Sequence, residues 1–365
     1  TKLYKLNASG VQSKIVQLLN ENSLFENQFK LLNELYTSLW KPFESDIKSD
    51  RVVIIPDRDL FNLNFEMLTK TTASSYKELA KNSLLSRYLI SYNYSLFLID
   101  KGSQPVGYKD NFVAFVPEFN DQMKQDYQLM IHDPVNLDKT YLTLLPQPFT
   151  KELAKTSTRL FKGASFLNEK STKRIFENSA REHKIIHIGT HAESNNISPE
   201  LSRLVFAKSM DSLGTDDNYL HIYEIYNTHL SSNLAILTAC ETGKPSYQAG
   251  EGMISLAHAF NYAGSESILT SLWKIDEQSS AKIIASFYKY IKKGWPKDKA
   301  LQQAKLDYIS TAEGRTAHPQ YWAGLVLIGD ASPIELQSSS YLLYWLAGIL
   351  ILIVIVFIAR RKRTV

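Results

Sequence analysis

The chain has 365 residues, of which 44% are hydrophobic and 21% charged, the composition of a globular protein that can bury one large core or two smaller ones. The net charge of +4 is carried by the basic C-terminal tail, residues 360–365, so the rest of the chain has no overall charge and a nucleic-acid partner is not expected. The single cysteine, Cys240, excludes an intrachain disulfide and a cysteine-based zinc site, and no metal or organic cofactor is predicted.

The first part of the chain is predicted to begin as helix and to continue as strands. Apolar residues recur at helical spacing from Val11 to Ile47. Arg51–Pro56 has the composition of a buried strand that ends at its proline, and further strands are predicted within Tyr88–Ile99 and Asn111–Val116. The polar stretch Pro117–Gln147 lacks a clear period, which predicts a long loop or insertion.

After Phe149 the pattern changes to strands that alternate with helices. Strands are predicted over residues 183–190, 204–207, 234–240, 267–272 and 325–328. Helices are predicted over residues 152–161, 172–181, 222–226, 252–263, 279–292 and 297–310. This alternation is typical of an α/β fold in which a mostly parallel central sheet is covered by helices on both faces.

An uncharged segment near the C-terminus, residues 341–359, is predicted to be a single transmembrane helix. Its 19 residues would span about 28 Å as a helix, enough for the hydrocarbon core of a bilayer, and aromatic residues occupy its N-terminal end. A buried core helix is the alternative, but such a helix seldom runs this long without a polar face. Residues 331–340 are the predicted linker to this segment.

The charges on either side of the membrane segment predict its orientation. The basic tail follows the segment, whereas residues 329–340 contain acidic residues and no Lys or Arg. The positive-inside rule therefore places the tail in the cytoplasm and the main domain on the extracytoplasmic side. That topology requires an export signal, which this sequence lacks, so a cytoplasmic domain with a C-terminal tail anchor is the alternative. Because the chain begins at Thr1, we expect it to be the C-terminal part of a longer protein.

Two of the predicted strands lead to reactive side chains. Cys240 ends the strand that begins at Leu234, and His191 directly follows the strand 183–190. Active groups collect at the carboxyl ends of parallel strands, so the two side chains are expected at one edge of the sheet. There His191 would accept the thiol proton or stabilise the thiolate, and Cys240 would attack a carbonyl carbon. The backbone N–H groups of Cys240 and Ala192 would bind the oxyanion.

Each of these residues by itself has a simpler interpretation. An isolated free cysteine usually behaves as a small buried hydrophobe, and an isolated histidine is usually a structural or surface residue. Their joint position at strand ends, 49 residues apart, indicates a thiol nucleophile and its base with the spacing of the caspase type. His187 lies four residues before His191, but no third ligand is evident, so a core histidine is preferred over a metal pair.

Short motifs along most of the chain resemble those of the CHAT domain family. In chain order they are Leu35-Tyr36, Ile55-Pro56-Asp57, Leu60, Phe65-Glu66, Thr238-Ala239-Cys240-Glu241-Thr242-Gly243, Gly250-Glu251-Gly252-Met253, Ala259-Phe260, Ala263-Gly264, Ser271-Leu272-Trp273, Asp276, His318-Pro319, Tyr321-Trp322-Ala323 and Ile328-Gly329-Asp330. The resemblance covers roughly residues 30 to 330. It implies the caspase-like three-layer fold, a dyad of His191 and Cys240, and, as partners, upstream tetratricopeptide repeats or an activating protein.

One residue departs from the family pattern. CHAT domains and their caspase relatives usually have glycine after the catalytic histidine, whereas this chain has Ala192. Alanine keeps the N–H donor but restricts the backbone, which puts the oxyanion site in doubt and leaves the expected fold unchanged.

The substrate-binding residues are predicted by analogy with caspases. Thr238 is expected to line the pocket for the substrate residue before the cut. Ser271, Leu272 and Trp273 are expected to form a neighbouring wall, in which Trp273 would provide an apolar platform. A preference for a basic residue would require a carboxylate, for which the candidates are Asp57, Glu241 and Asp276. Each acid is also explained as a solvated loop charge or a helix cap, and the tryptophan as a core residue.

The sequence therefore predicts a membrane-anchored cysteine endopeptidase that hydrolyses peptide bonds in protein or peptide substrates. A helical segment is expected over 1–50 and the peptidase domain over 51–330, in two halves, 51–147 and 148–330, of which the second carries the dyad. The alternative is a catalytically silent scaffold of the same fold that recruits protein partners at the membrane. A nucleotide- or metal-binding α/β domain is less favoured, because no phosphate-binding glycine loop follows a strand.

Overall fold

The computed structural model of the chain describes residues 2–7, 9–18, 25–71, 73–99, 107–131, 135, 137–193, 195, 198–209, 218–238, 246–248, 252–254, 256–337 and 349. The chain divides into two units, Thr1–Ile334 and Glu335–Val365, and the elements named below belong to the first. Apart from Ile349, the predicted membrane segment 341–359 lies outside the described residues. Within the ranges given, no helix is both long enough and apolar enough to cross a membrane.

The described ranges contain the following strands and helices. The strands are β1 (Arg51–Ile54), β2 (Leu89–Tyr92), β3 (Asp110–Val116), β4 (Ala164–Leu167), β5 (His183–Ile188), β6 (His191–Glu193), β7 (Arg203–Val205), β8 (Tyr219–His221), β9 (Leu234–Leu237), β10 (Ser246–Gln248), β11 (Gly252–Ile254), β12 (Ser267–Ser271) and β13 (Leu325–Gly329). The helices are α1 (Val11–Leu18), α2 (Phe25–Leu35), α3 (Tyr76–Asn82), α4 (Asp121–Met130), α5 (Lys139–Thr143), α6 (Pro148–Phe161), α7 (Lys173–Ser179), α8 (Ile222–Tyr226), α9 (Leu256–Tyr262), α10 (Glu277–Lys292) and α11 (Lys297–Thr311).

Eight of these strands form the central sheet, in the order β1-β2-β13-β12-β9-β5-β3-β4. Neighbouring strands pair in parallel except for β12 and β13, which are antiparallel. The prediction of a mostly parallel central sheet is confirmed. The strands β6, β7 and β8 form a separate antiparallel sheet, and β10 pairs with β11.

Helices cover both faces of the central sheet, as the alternating side chains of β3 show. Phe112 packs on Phe161 of α6 and on Tyr288 of α10, with ring centroids 5.4 and 5.7 Å apart. Phe115 lies three positions further along and therefore points to the opposite face, where it packs on Phe176 of α7 at 5.1 Å. The fold is thus an α/β arrangement of three layers.

The segment predicted as a long loop, Pro117–Gln147, instead contains α4 and α5. Each helix begins at a side-chain cap: Asn120 accepts a hydrogen bond from the Met123 amide at 3.0 Å, and Asp138 accepts one from the Tyr141 amide at 3.1 Å. The prediction of a loop was wrong because both helices are short and bury only a few apolar side chains in a small separate core. So few buried positions leave no amphipathic period in the sequence.

Other differences concern short elements and boundaries. The strands β4, β6, β8 and β10 were not predicted, since three or four residues cannot show a period. The predicted helix over 252–263 begins only at Leu256, because Gly252–Ile254 pairs with Ser246–Gln248. In the predicted strand Tyr88–Ile99, β2 ends at Tyr92 and a 3₁₀ turn follows.

His187 is a core residue of β5. Its side chain is fully buried, and Nδ1 lies 2.7 Å from the hydroxyl oxygen of Tyr288. Burial lowers the pKa of His187 to about 3, so the ring is neutral at neutral pH.

We predict that His187 makes the protein less stable as the pH falls from 6.5 towards 3. The imidazole of the unfolded chain takes up a proton near pH 6.5, whereas the folded protein takes it up only near pH 3. Within this window the unfolded state binds more protons, so the free energy of unfolding decreases with falling pH by up to about 1.4 kcal/mol per pH unit. Above this window the contribution is constant.

Urea unfolding at about pH 7.5 and about pH 5 measures this change in the free energy of unfolding. The two pH values lie on either side of 6.5, where the imidazole of the unfolded chain takes up its proton. His187→Asn is the matched variant, since its amide also hydrogen-bonds the Tyr288 hydroxyl but does not titrate. The loss of stability between the two pH values should be smaller in His187→Asn than in the parent. Equal losses would contradict the prediction.

Candidate active site

The ends of two neighbouring parallel strands bring together the segments that carry the predicted dyad. In the central sheet, Ile188 of β5 pairs with Leu237 of β9. His191 and Cys240 each follow this pair by three residues. His191 begins β6, whereas Cys240 lies outside the described residues, which end here at Thr238. The pairing of β5 with β9 thus brings His191 and Thr238, which precedes Cys240 by two residues, to one edge of the sheet.

A hydrogen bond of His191 determines which ring nitrogen carries its proton. Nε2 lies 2.7 Å from the carbonyl oxygen of Leu145. Because a carbonyl can only accept, Nε2 must carry the hydrogen, and Nδ1 is then the basic nitrogen of the neutral ring. A neutral imidazole in this tautomer can take up a proton at Nδ1.

The surroundings of His191 favour the neutral ring. The side chain is half-buried, and the ring of Phe119 packs on it with centroids 5.3 Å apart. Burial lowers the pKa of His191 below its ordinary value, although the hydrogen bond to Leu145 opposes this shift. The positive charges of Lys274 and Lys124 lower the pKa further. The imidazole is therefore available as a base at neutral pH.

Leu145 lies between α5 and α6, in a segment that hydrogen bonds attach to the end of β3. The amide of Gln147 donates to the carbonyl oxygen of Glu118 at 2.9 Å. The carboxylate of Glu118 forms an ion pair with Lys151 of α6. Glu118 and Phe119 have positive φ angles of 63° and 56°, so the chain turns sharply after β3 and brings Phe119 beside the imidazole.

The sequence analysis missed Leu145 because its contribution is a backbone carbonyl. Any residue provides such a group, so it leaves no signature in the sequence. The signals that were present are the capping residues Asn120 and Asp138, which indicate helices within the segment that precedes Leu145.

Ala192, the predicted oxyanion residue after the histidine, lies in β6 and pairs with Leu204 of β7. The backbone of a strand is extended, a conformation that alanine adopts without strain. The backbone conformation of Ala192 therefore gives no reason to expect that alanine, in place of glycine, disturbs the oxyanion site. The binding of an oxyanion by the amides of Ala192 and Cys240 stays a prediction.

The predicted substrate-binding residues lie at or after the ends of β9 and β12, which are neighbours in the sheet. Thr238 is half-buried, and its hydroxyl donates to the Ile188 carbonyl at 3.3 Å. Ser271 and Leu272 are buried, and the Leu272 amide donates to the Gly324 carbonyl at 2.9 Å. The hydroxyl of Thr238 thus borders the same edge as His191, whereas the side chains of Ser271 and Leu272 are buried.

Trp273 is also largely buried, with 8% of its surface exposed. Its indole N–H donates to the carbonyl oxygen of Gln320 at 3.2 Å. Gly324 allows this close packing, since a methyl group there would clash with Ile275 and would lie 3.1 Å from Nε1 of Trp273. Trp273 is therefore a core residue and does not offer an exposed platform to a substrate.

The three candidate carboxylates have different surroundings. Asp276 caps α10, where it accepts hydrogen bonds from the amide and the hydroxyl of Ser279 at 2.8 and 2.7 Å. Asp57 is exposed and lies 3.8 Å from Arg58. Glu241 lies outside the described residues. The cap explains Asp276 without a substrate, and a role of any of the three acids in binding substrate stays a prediction.

The whole arrangement falls within one family match. Residues 30–330, which make up most of the chain, match the family described as CHAT domain. The chain belongs to the CHAT domain family. The match has the range that the sequence motifs indicated, so the predicted family is confirmed, and the CHAT domain includes both His191 and Cys240.

Two relatives of this CHAT domain bear the name Tetratricopeptide repeat protein 28. The protein from Homo sapiens is 25% identical over 54% of this chain, and the protein from Mus musculus is 28% identical over 33% of it. This chain spans only 9% and 5% of their respective lengths. The names are consistent with the expected association of CHAT domains with tetratricopeptide repeats.

Two solved structures are similar to the chain at low sequence identity. Gingipain R, an Arg-specific cysteine proteinase, is 6% identical with a TM-score of 0.47, and the match covers 89% of this chain and 74% of that one. The Saccharomyces cerevisiae separase–securin complex is 11% identical with a TM-score of 0.45, covering 85% of this chain and 18% of that one. TM-scores this low do not establish a shared fold, so the assignment rests on the sheet topology and the CHAT match.

We predict that His191 has a pKa below 6.5 in the Cys240→Ala variant, in which no thiolate is present to stabilise the imidazolium. Burial and the two nearby lysines, Lys124 and Lys274, disfavour the protonated ring. An NMR titration of the histidine ring resonances measures the pKa, with the signal assigned by its loss in His191→Gln. A value at or above 6.5 would contradict the surroundings described for the ring.

Proposed function

We propose that this CHAT domain is a cysteine endopeptidase in which His191 activates the thiol of Cys240. The observation that carries the proposal is the position of His191 just beyond the β5–β9 pair, with Nε2 held by Leu145 and Nδ1 as the basic nitrogen. Cys240 follows the same pair by three residues, and three residues of extended chain span about 10 Å. Chain connectivity therefore supports a thiol close to this edge.

The proposed reaction follows from the chemistry of a thiol and an imidazole. Nδ1 of His191 removes the proton of Cys240, and the thiolate attacks the carbonyl carbon of a peptide bond, whose π electrons move to the oxygen. The amides of Ala192 and Cys240 stabilise this oxyanion. When the C–N bond breaks, the imidazolium gives its proton to the leaving amine and a thioester remains. Water, deprotonated by the same ring, hydrolyses the thioester and the thiol is restored.

Protein or peptide substrates are the proposed partners at this edge. Thr238 is half-buried at the end of β9 and is proposed to border the pocket for the residue before the cut. Residues 271–273, which are buried, are proposed to support the wall beside this pocket, and Asp276, which caps α10, is proposed as a further binding residue. Tetratricopeptide repeats or an activating protein are proposed to control access, an idea that the names of the relatives support.

We further propose that residues 341–359 anchor the protein in a membrane, with the main domain on the extracytoplasmic side. The support is the apolar composition of this segment and the basic tail that follows it.

We predict that the 365-residue chain resists extraction of membranes with alkaline carbonate, whereas a chain that ends at Ile334 is released. Release of both would contradict the anchor. Protease protection in sealed vesicles distinguishes the proposed side from a cytoplasmic tail anchor.

We predict that the 365-residue chain in detergent cleaves a diverse peptide library and that Cys240→Ala and His191→Gln lower the rate roughly a thousandfold or more, since removal of a nucleophile or its base has effects of this size. Cleavage is read by mass spectrometry, which also reports the residue before the cut. His187→Asn is the matched control, because it alters a histidine of the same strand region that faces the core. This control is expected to cleave like the parent near neutral pH.

An electrophilic peptide distinguishes a latent peptidase from a silent scaffold. In a latent enzyme Cys240 is alkylated faster in the parent than in His191→Gln, because the base raises the thiolate fraction. If no peptide is cut and the two proteins react at the same rate, the endopeptidase proposal fails. The scaffold that recruits protein partners is then the better interpretation of this CHAT domain.

A further inference from the structure

A lysine close to the candidate active site is enclosed by aromatic rings. Lys208 follows β7, and its Nζ lies 3.0 Å from Oδ2 of Asp138 and 2.8 Å from Oδ1 of Asn218. The ring centroids around Nζ lie 5.2, 5.4 and 5.6 Å away and belong to Tyr127, Tyr141 and Tyr219, which we call the tyrosine cage.

The charges in the tyrosine cage are paired. The side chains of Lys208 and Asp138 are 16% and 20% exposed, and Asp138 also accepts a hydrogen bond from the Tyr219 hydroxyl at 2.7 Å. Burial alone would raise the pKa of Asp138. Hydrogen bonds from Tyr219, the Tyr141 amide and Lys208 outweigh burial and lower it, so the carboxylate is ionised. A neutral side chain in place of Lys208 would lose both the cation–π contacts with the rings and the ion pair with Asp138.

The tyrosine cage joins parts of the chain that are distant in sequence. On one side, Tyr127 belongs to α4, and Asp138 caps α5, which contains Tyr141. On the other side, Lys208 follows β7 and Tyr219 begins β8. Lys208 therefore attaches both short helices to the β6–β8 sheet.

The two groups that contact the His191 ring both depend on α5. Phe119 packs on His191 and also on Tyr141, with centroids 5.7 Å apart in the second pair. Leu145, which accepts the hydrogen bond from Nε2, follows the end of α5 by two residues. His191 itself begins β6, which pairs with β7. The position of α5 against β7 thus helps to place the Leu145 carbonyl on the ring, together with the hydrogen bond from Gln147 to Glu118.

We propose that Lys208 is a positioning residue for His191: by holding α5 on the β6–β8 sheet, it keeps the Leu145 carbonyl on Nε2 and so selects the tautomer in which Nδ1 is basic. This inference deepens the proposed function, on which it rests, because the tautomer matters for catalysis only if His191 is the base. Lys208 acts through Leu145 and takes no part in the proton transfer.

The test measures the ring tautomer of His191 in the 365-residue chain, from the ¹⁵N shifts of the two ring nitrogens. It is carried out in the Cys240→Ala background, so it does not depend on peptidase activity. The Nε2–H tautomer should predominate in this background. Lys208→Met fills the cage without a charge and should raise the ratio of the Nδ1–H to the Nε2–H tautomer roughly tenfold, the factor that one hydrogen bond is worth. Lys208→Arg keeps the cation and should restore the Nε2–H tautomer.

With Cys240 present, Lys208→Met should lower kcat in proportion to the Nε2–H fraction that is lost, roughly twofold if the ratio of Nδ1–H to Nε2–H changes from about 1:10 to about 1:1, and should leave KM unchanged. The control is Lys297→Met. Lys297 is 1% exposed and forms an ion pair with Asp330 at 2.7 Å. Asp330 follows the end of β13, which runs antiparallel to β12, so this pair lies at the edge of the sheet opposite to His191. This control should destabilise the protein without changing the tautomer of His191.

The proposal is overturned if folded Lys208→Met keeps the Nε2–H tautomer, or if Lys297→Met changes it equally. Should Lys208→Met fail to fold, Asp138→Asn gives the same test, because asparagine still caps α5 but no longer pairs with Lys208 by charge. A tautomer change in a chain that cleaves no peptide and whose Cys240 is alkylated at the same rate with and without His191 supports Lys208 and rejects the endopeptidase. Cleavage with an unchanged tautomer in Lys208→Met does the reverse.

Discussion

The parallel pairing of β5 with β9 is the constraint on which the candidate site depends. Both strands are almost entirely buried, so each must be covered on both faces. Parallel neighbours covered in this way are joined by crossover connections, and their carboxyl ends meet at one edge of the sheet. The polar residues that follow β5 and β9, His191 and Thr238, are neighbours for this reason, although 47 residues separate them in sequence.

A second layer of organisation lies outside the central sheet. The chain after β3 folds into two short helices that pack with Phe119 and Val205 in a small core of their own. This core supplies the ring that covers His191 and the carbonyl that orients it. The sheet thus brings the histidine to the edge, and the segment Pro117–Gln147 determines its protonation and its tautomer. Neither part alone defines the geometry of a base.

Buried ion pairs join distant segments elsewhere in the same unit. Lys305 of α11 pairs with Glu66, and both side chains are at most 3% exposed. Asp298, also of α11, is fully buried against Arg51 of β1. Removal of Lys305 or Arg51 would leave a buried carboxylate without its cation, which costs several kcal/mol. These pairs therefore restrict how α11 packs on the strands at that side of the sheet, whereas the Lys208–Asp138 pair acts next to the candidate active site.

The amino-acid sequence by itself determined the α/β class, the mostly parallel sheet, the CHAT family and the identity of His191 as the residue at a strand end. The class and the sheet followed from apolar periods, which depend on local side chains alone, and the family followed from the resemblance of short motifs. Only the tertiary structure decided the course of Pro117–Gln147, the contact of Leu145 with His191 and the enclosure of Lys208. These features depend on a backbone carbonyl and on contacts between residues far apart in the chain, and such groups acquire partners only when the segments pack together.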